Sequence, residues 1–385
     1  MATLPCPLAA ARDLVPVVAR RAAESEAARR LPADLAATMA EAGLFRLVVP
    51  KSLDGHEAHP AVMVETIEAV ARGDASAAWC LMIGATTALI AAYLPRHHAE
   101  AVLGDRRTIT GGVFAPLGRA EREDGGYRVA GRWAWASGSA NCAWLVGGAV
   151  LHDGGRPEMD AEGRPRHRMM VFQRDQVELI DTWHAAGLRG TGSGDMAVRD
   201  QWIPADRTVS LLTDTPREPG PLYRFPAFGL LALGIAAVAS GNARAALDEA
   251  AEATRARRAP GTGRAVVERA TVQAAFAEAE AALHAAQAGL REAVAAAWAE
   301  AEAGALRPTT RARLRLQATH LARTAAHAVR MAWDLAGGGA LYDSSPLQRR
   351  FRDAHAITQH IMVQPATWEA TGRILLGLPA DLSQI

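Results

Sequence analysis

Between Phe228 and Leu335 the chain runs almost without a helix breaker. Three Ala-rich stretches, Phe228 to Arg257, Arg264 to Ala303 and Thr309 to Leu335, are each long enough for many helical turns. Helices of this length with apolar stripes bury those stripes against one another. The expected result is a C-terminal four-helix bundle. Pro308 opens its third helix and Gly337-Gly-Gly339 closes it. A last helical stretch should run from about Pro346 to Gly377, broken or kinked near Pro365. Such a block is also a candidate oligomer interface.

Residues 8 to about 105 read as helical too. Arg30 to Gly43 carries Pro32 near its start and Gly at its end, with Leu35, Met39 and Leu44 near one face. Two more helices, 60–72 and 75–94, are separated by Gly73-Asp74. The segment Ala75 to Leu94 has no charged residue and approaches the roughly 20 residues of a membrane span. It is dotted with Gly, Ser, Thr and Ala, so a buried bundle helix is expected, with no membrane partner.

The texture changes at about Arg107. Short runs rich in Gly, β-branched and aromatic residues read as strands: Thr108 to Phe114, Tyr127 to Trp135, Ala143 to Leu151, Arg168 to Phe172 and Met196 to Ile203. Glu123-Asp-Gly-Gly126 is a hairpin turn signal, and Asp153 to His167 reads as an exposed loop. The predicted chain is therefore α+β and multidomain. An N-terminal α-helical domain spans 1–106, a middle β-barrel-like domain 107–215 and the C-terminal α-helical bundle 216–385.

With 385 residues, half of them hydrophobic, a large core is available. A formal net charge of +1 gives no reason to expect nucleic acid or an anionic membrane as partner. Cys6, Cys80 and Cys142 are odd in number and far apart, which suits a reducing cytoplasm. The first residues lack a basic segment followed by a long apolar core, so no signal peptide is expected.

Several motifs suggest other chemistry. Gly190-Thr-Gly192-Ser-Gly194 resembles a phosphate loop, but it opens a strand and no Lys-Ser/Thr follows, so a structural turn is expected. His97-His98 are adjacent on a helix and should point apart. His355 and His360 lie about 140° apart on a helix. Neither pair makes a helical chelate, and no metal is expected. Ser137-Gly138 is not in a Gly-x-Ser-x-Gly elbow, which disfavours a hydrolase. His360 is the stronger single candidate: Asp353 and Gln364 should share its helix face, and a polar stripe there needs partners or a wet cavity.

Four segments together resemble the acyl-CoA dehydrogenase superfamily, and within it the two-component flavin-dependent monooxygenases of group D. They are Ala71-Arg-Gly-Asp74 to Trp79, Gly131-Arg-Trp to Trp144, Thr182-Trp183 to Ser193 with Ile203-Pro204, and Ser344 to Asp353 followed by His360. Dehydrogenases often carry Tyr-Glu-Gly-Thr near the last segment, where the Glu removes a proton. Here the chain reads Thr358-Gln-His360-Ile-Met-Val-Gln364.

The resemblance implies an oxygenase that uses reduced FMN or FAD and O2 through a C4a-hydroperoxide. A separate flavin reductase supplies the reduced flavin, if only by diffusion, and the substrate is a small aromatic or polycyclic molecule. The hydroperoxide must be kept dry. The implied catalytic residues are His360, as general base or orienter, and Ser137. Trp135, Ser137, Gly138, Thr191, Ser193 and Phe114 are the implied flavin contacts. Trp79, Trp183, His355 and Gln364 are the implied substrate pocket. A homotetramer or homodimer is expected. The Phe-Gly element that grips FAD pyrophosphate in dehydrogenases is missing from Arg255 to Arg264, which favours FMN or loosely held flavin. The alternative is an FAD-dependent acyl-CoA or acyl-carrier dehydrogenase, with Glu249, Glu252 or Glu268 as base. A non-catalytic flavin-binding relative is the third reading.

Overall fold

The computed structural model describes residues 4–261, 263–382 and 385. Thr262, within the Arg255–Arg264 segment, and residues 1–3 at the start lie outside that range.

The N-terminal layer contains α1 (Pro7–Ala28), α2 (Ala33–Glu41), α3 (Pro60–Gly73), α4 (Ala75–Thr87) and α5 (Arg96–Leu103). Asp74 separates α3 from α4. Its extended backbone ends one helix, and its carboxylate accepts the Ala77 N–H at 2.9 Å to cap the next. The uncharged segment is a core helix, buried on almost every side. Past Thr87 it tightens into a 3-10 turn, Ala88–Ala92, instead of continuing as α-helix to Leu94.

The middle of the chain is one eight-stranded mixed sheet. Its strands are β1 (Thr110–Glu123), β2 (Gly126–Trp133), β3 (Trp144–Asp153), β4 (Arg156–Pro157), β5 (His167–Gln173), β6 (Glu178–Ile180), β7 (Asp195–Pro204) and β8 (Thr208–Val209). The order is β6-β7-β2-β1-β3-β5-β8, with β4 on β3. Only β1 and β3 pair in parallel. The expected hairpin forms, with Glu123 opposite Gly126. Two strands differ in extent from the sequence reading. β1 continues to Glu123, and β2 stops at Trp133 because Trp135 takes a left-handed φ of 65°. Trp133 is fully buried and donates its indole N–H to Gly148 O at 2.7 Å. Gly118, Gly131 and Gly147 make room for it: a Cβ on them would lie 2.4, 2.6 and 2.8 Å from the ring.

The C-terminal helices are α6 (Ala227–Ala256), α7 (Ala270–Ala303), α8 (Pro308–Ala336), α9 (Pro346–Ile357) and α10 (Ala366–Leu375). Helix α6 is central and packs on α3, α4, α8 and α9. Leu233, Ile235, Leu247 and Val329 are fully buried, each contributing about 1.5–3 kcal/mol. Gly241 lets α6 approach α3 closely, since a Cβ there would sit 2.2 Å from the Glu68 carbonyl oxygen. The apolar run Ala75–Ala92, α4 with the turn after it, and the most apolar stretch of α6 have the length and composition of membrane spans, yet 94% of each is buried inside the protein.

One expectation fails here. The terminal helix stops at Ile357, well before Pro365, and resumes at Ala366. Between them lies a 3-10 turn, Ile361–Val363, with His360 at its N-cap. The Thr358 hydroxyl donates to His355 O at 2.7 Å, and Arg315 of α8 donates to Met362 O at 3.0 Å. These partners compete with the helical ladder. His360 therefore does not share a helix face with Asp353 and Gln364.

Candidate active site

A cavity of about 1640 Å³ lies between the sheet, α4 and the turn that carries His360. An ordinary small-molecule pocket holds about 300–1,000 Å³, so this one has room for two ligands side by side. Trp79, Ser137 and Ser193 are buried residues on its wall, and they belong to one hydrogen-bonded cluster. Trp79 Nε1 donates to Ser137 Oγ at 3.0 Å. Ser137 Oγ lies 2.6 Å from Ser193 Oγ, which lies 2.6 Å from Thr191 Oγ1. The Thr191 hydroxyl donates to Leu188 O at 2.8 Å.

The local backbone sets this cluster in place. Trp135 and Gly138 both have positive φ, 65° and 70°, so the chain turns sharply off β2. Ala136 N donates to Gly194 O at 2.9 Å and Gly138 N to Thr191 O at 2.8 Å. The turn after β2 is thereby tied to the loop before β7. The expected structural role of the Gly190–Gly194 loop is what the structure shows.

His360 reaches the same wall from the C-terminal helices. Its ring meets Trp79 edge-on, with centroids 5.6 Å apart. Its Nδ1 accepts the Met362 N–H at 3.2 Å. Burial first, and the nearby Arg315 guanidinium second, push its pKa down to about 4. The imidazole is thus neutral at ordinary pH, and with Nδ1 accepting, its hydrogen is on Nε2. His360 meets the cavity as an N–H donor.

The other predicted site residues divide into three sets. Phe114, Trp135, Trp183 and Gln364 line the cavity. Thr191 and Gly138 stand behind its wall and act through their hydrogen bonds. His355 does not reach the cavity. It is exposed, its Nδ1 donates to Phe351 O at 2.8 Å, and its ring packs on Phe351. The reason is its place on α9, whose buried face is Leu347, Arg350, Asp353, Ala354 and Ile357, which leaves His355 on the outer face. His97 and His98 do not point apart as expected. Both rings turn to Asp206, at 3.6 and 2.9 Å, on the surface outside the cavity.

Among the described residues no glutamate lines the cavity. Glu249 is half-buried and paired with Arg350 at 2.7 Å, while Glu252 and Glu268 are exposed. None is placed to act as a base on a ligand there.

Arg315, and the partners of the Arg-Arg-Phe-Arg-Asp run, were not found from sequence. Arg315 is buried, and besides Met362 O it donates to Met362 Sδ at 3.0 Å, fixing the turn that carries His360. The Arg-Arg-Phe-Arg-Asp run is a clamp. Arg350 holds Glu249, Arg352 holds Glu26 and Ala186 O, and Asp353 accepts the Leu188 N–H at 2.6 Å. The density of charge in that run signals burial with partners, but partners on α1, α6 and the 182–194 loop lie too far away in sequence to be read.

The chain matches the acyl-CoA dehydrogenase N-terminal domain over residues 9–102 and the acyl-CoA dehydrogenase C-terminal domain over residues 233–365. It is 32% identical to the indole-3-acetate monooxygenase of Pseudomonas putida over 360 residues, covering 93% of this chain and 90% of that protein. The chain belongs to the acyl-CoA dehydrogenase family, among its flavin-dependent monooxygenases. Another relative is the FADH2-dependent resorcinol hydroxylase, oxygenase component, of Rhizobium sp., 30% identical over 376 residues, 92% of this chain and 89% of that one. The crystal structure of 3-HSA hydroxylase from Rhodococcus sp. RHA1 superposes with a TM-score of 0.91 at 28% identity, covering 99% of both chains.

The residues present suit a flavin of this family. Trp135 presents an indole that is 70% exposed on the cavity wall, an aromatic face with room for a flat ring. Ser137 offers a buried oxygen beside it. Arg164, Arg166, Arg168 and Arg311 line other parts of the cavity and would be the cations for a flavin phosphate, although Arg164 and Arg168 are also paired there with Asp160 and Asp214.

Proposed function

We propose that this chain is the oxygenase component of a two-component system that hydroxylates a small aromatic or polycyclic substrate with O2 and reduced FMN or FAD. The observation that carries the reading is the meeting of Ser137 and His360 on one wall, bridged by Trp79, in a cavity that no glutamate lines among the described residues. That wall can hold and orient, and the aspartate carboxylates of the cavity, Asp160, Asp214 and Asp381, are not part of it; Asp160 and Asp214 are paired with Arg164 and Arg168. Bound reduced flavin supplies two electrons to O2, so that one oxygen atom enters the substrate and the other leaves as water.

The chain's own residues do the rest. Ser137 and Trp135 hold the cofactor side. Trp79, Trp183 and Gln364 shape the substrate side, and His360 presents its Nε2–H to polar atoms between them. Buried apolar side chains such as Phe225 and Leu231 exclude bulk water. A flavin reductase is the partner, by contact or by release of reduced flavin. The cytoplasm is the proposed compartment, which suits three free cysteines.

A homotetramer is the proposed assembly, with a homodimer as the smaller form. Large apolar side chains are exposed in the turn after α8 (Leu341 and Tyr342), on α10 (Trp368) and just past its end (Leu376 and Leu378), and a second copy would cover them.

Rapid mixing of the photoreduced, flavin-loaded protein with O2 and candidate phenols or indoles tests the reading. Formation of hydroxylated product, one per NADH with a reductase, is expected. Acyl-CoA-dependent reduction of an artificial electron acceptor, abolished by replacing one glutamate, would sink it.

A further inference from the structure

We propose that the hydroxyls of Thr191 and Ser193 make Ser137 a pure hydrogen-bond acceptor toward the cavity, and that this polarity selects reduced flavin over oxidised flavin. The inference rests on the flavin reading above and adds the residues that set the redox preference.

The direction of every hydrogen in the cluster follows from its two fixed ends. At one end, Leu188 O is a carbonyl and can only accept, so the Thr191 hydroxyl gives it its proton at 2.8 Å. Thr191 Oγ1 then has no proton for Ser193, and the 2.6 Å contact between them requires Ser193 to donate. Ser193 has now used its proton, so the 2.6 Å contact with Ser137 requires Ser137 to donate. At the other end, Trp79 Nε1–H can only donate, and it gives its hydrogen to Ser137 Oγ at 3.0 Å. Ser137 is left with one lone pair and no proton. Any other assignment leaves two oxygens facing each other without a hydrogen between them, at 2.6 Å in one of the hydroxyl contacts or, if the whole chain reverses, at 2.8 Å between Thr191 and Leu188 O.

The chain is rigid as well as directed. Ser137, Ser193 and Thr191 are 5%, 4% and 1% exposed, so water cannot easily replace a member. The Leu188 carbonyl also accepts Trp183 Nε1–H at 2.9 Å, and the Leu188 N–H is held by Asp353 at 2.6 Å. The acceptor that starts the chain is therefore held from two sides.

Two-electron reduction of a flavin converts a ring nitrogen from an acceptor into an N–H donor. A wall that can only accept pairs with the reduced form and opposes the oxidised form. Reduced flavin is then retained and oxidised flavin released after turnover, as a system with a separate reductase requires.

The test is anaerobic equilibrium binding of reduced and oxidised FMN and FAD to the wild-type protein and to S193A, T191V, T191S and W79F, with a thermal melt for each. The wild type should bind the reduced form more tightly. In S193A the Ser137 proton loses its acceptor and turns to the cavity. In T191V the Ser193 proton turns to Ser137 and displaces that proton in the same direction. Either change should lower the reduced-over-oxidised preference by about three- to tenfold, the scale of one neutral hydrogen bond. That equals a fall of about 15–30 mV in the two-electron potential of the bound flavin. T191S should keep the wild-type ratio. W79F should weaken both redox forms together, because it removes a donor without freeing a proton. S193A and T191V act on separate links, so either one that folds decides the matter. Tight flavin binding with an unchanged ratio in the folded variants would overturn this proposal alone. Binding of flavin in neither redox state would overturn both it and the proposed function.

Discussion

Asp353 Oδ1 accepts the Leu188 N–H at 2.6 Å, joining α9 to the loop that carries Thr191 and Ser193 across 165 residues of sequence. Burial, and the neighbouring Asp74 carboxylate, push the Asp353 pKa up to about 7. An unfolded aspartate titrates near about 3.9, so the folded state holds its proton over the interval between. The contribution of this group to stability is therefore greatest below about pH 4 and declines as pH rises toward 7. Asp353→Asn keeps the acceptor and removes the titration. Its melting temperature relative to wild type should rise between pH 5 and 7. Asp353→Ala leaves the Leu188 N–H buried without a partner and should be about 1–3 kcal/mol less stable than Asp353→Asn at every pH. Thermal melts of the three proteins across pH 4–8 check both points.

His360→Ala should keep the fold and lose most product. Removing a group that handles a proton or orients a reacting atom typically costs about 10²–10⁴-fold in rate. NADH-driven oxygen uptake with a reductase should continue as hydrogen peroxide release. His355→Ala is the control and should remain coupled, because His355 lies outside the cavity. Product per NADH is the measurement, and a fully coupled His360→Ala enzyme would return His360 to a structural role.

Since the His360 pKa is pushed down to about 4, it stays neutral wherever the protein is assayed near neutral pH. An unfolded histidine titrates near about 6.5. The unfolded state therefore takes up the proton first, and stability from this group is lost as pH falls from about 6.5 through about 4. A rate profile with a His360-dependent limb near 6.5 would contradict this placement.

Arg315→Met should raise the His360 pKa, because the guanidinium charge is one cause of its depression. It should also loosen the turn at Met362, whose carbonyl Arg315 holds at 3.0 Å. NMR titration of His360 in the two proteins reads the first effect, and product per NADH reads the second. An unmoved titration would show that the charge is screened from the ring.

Gly241→Ala should destabilise the helical core by about 1–3 kcal/mol, the usual cost of overpacking. The new methyl would meet the Glu68 carbonyl oxygen at 2.2 Å, and backbone cannot move aside as a side chain can. A shift of the urea midpoint at unchanged slope is the expected signature.

The sequence by itself determined the order of helical, strand and helical blocks, because hydrophobic period, Gly/Pro punctuation and Ala-rich runs are local properties of the chain. It also determined the resemblance, through motifs around Trp79, Ser137, Thr182–Ser193 and Asp353. Tertiary structure decided what those residues do. His360 left the predicted helix because Arg315, 45 positions earlier in the chain, competes for the Met362 carbonyl. His355 lost its place in the site because packing buries the Arg350–Asp353–Ile357 face of α9 and turns His355 outward. Asp353 turned to Leu188 instead of to His360, and His97 and His98 converged on Asp206. The proton direction at Ser137 depends on a carbonyl and two hydroxyls of the 188–193 loop and an indole of α4, two segments far from Ser137 in sequence. Hydrogen-bond partners of buried polar groups are set by which distant segments the core brings together, and no periodicity along the chain records that choice.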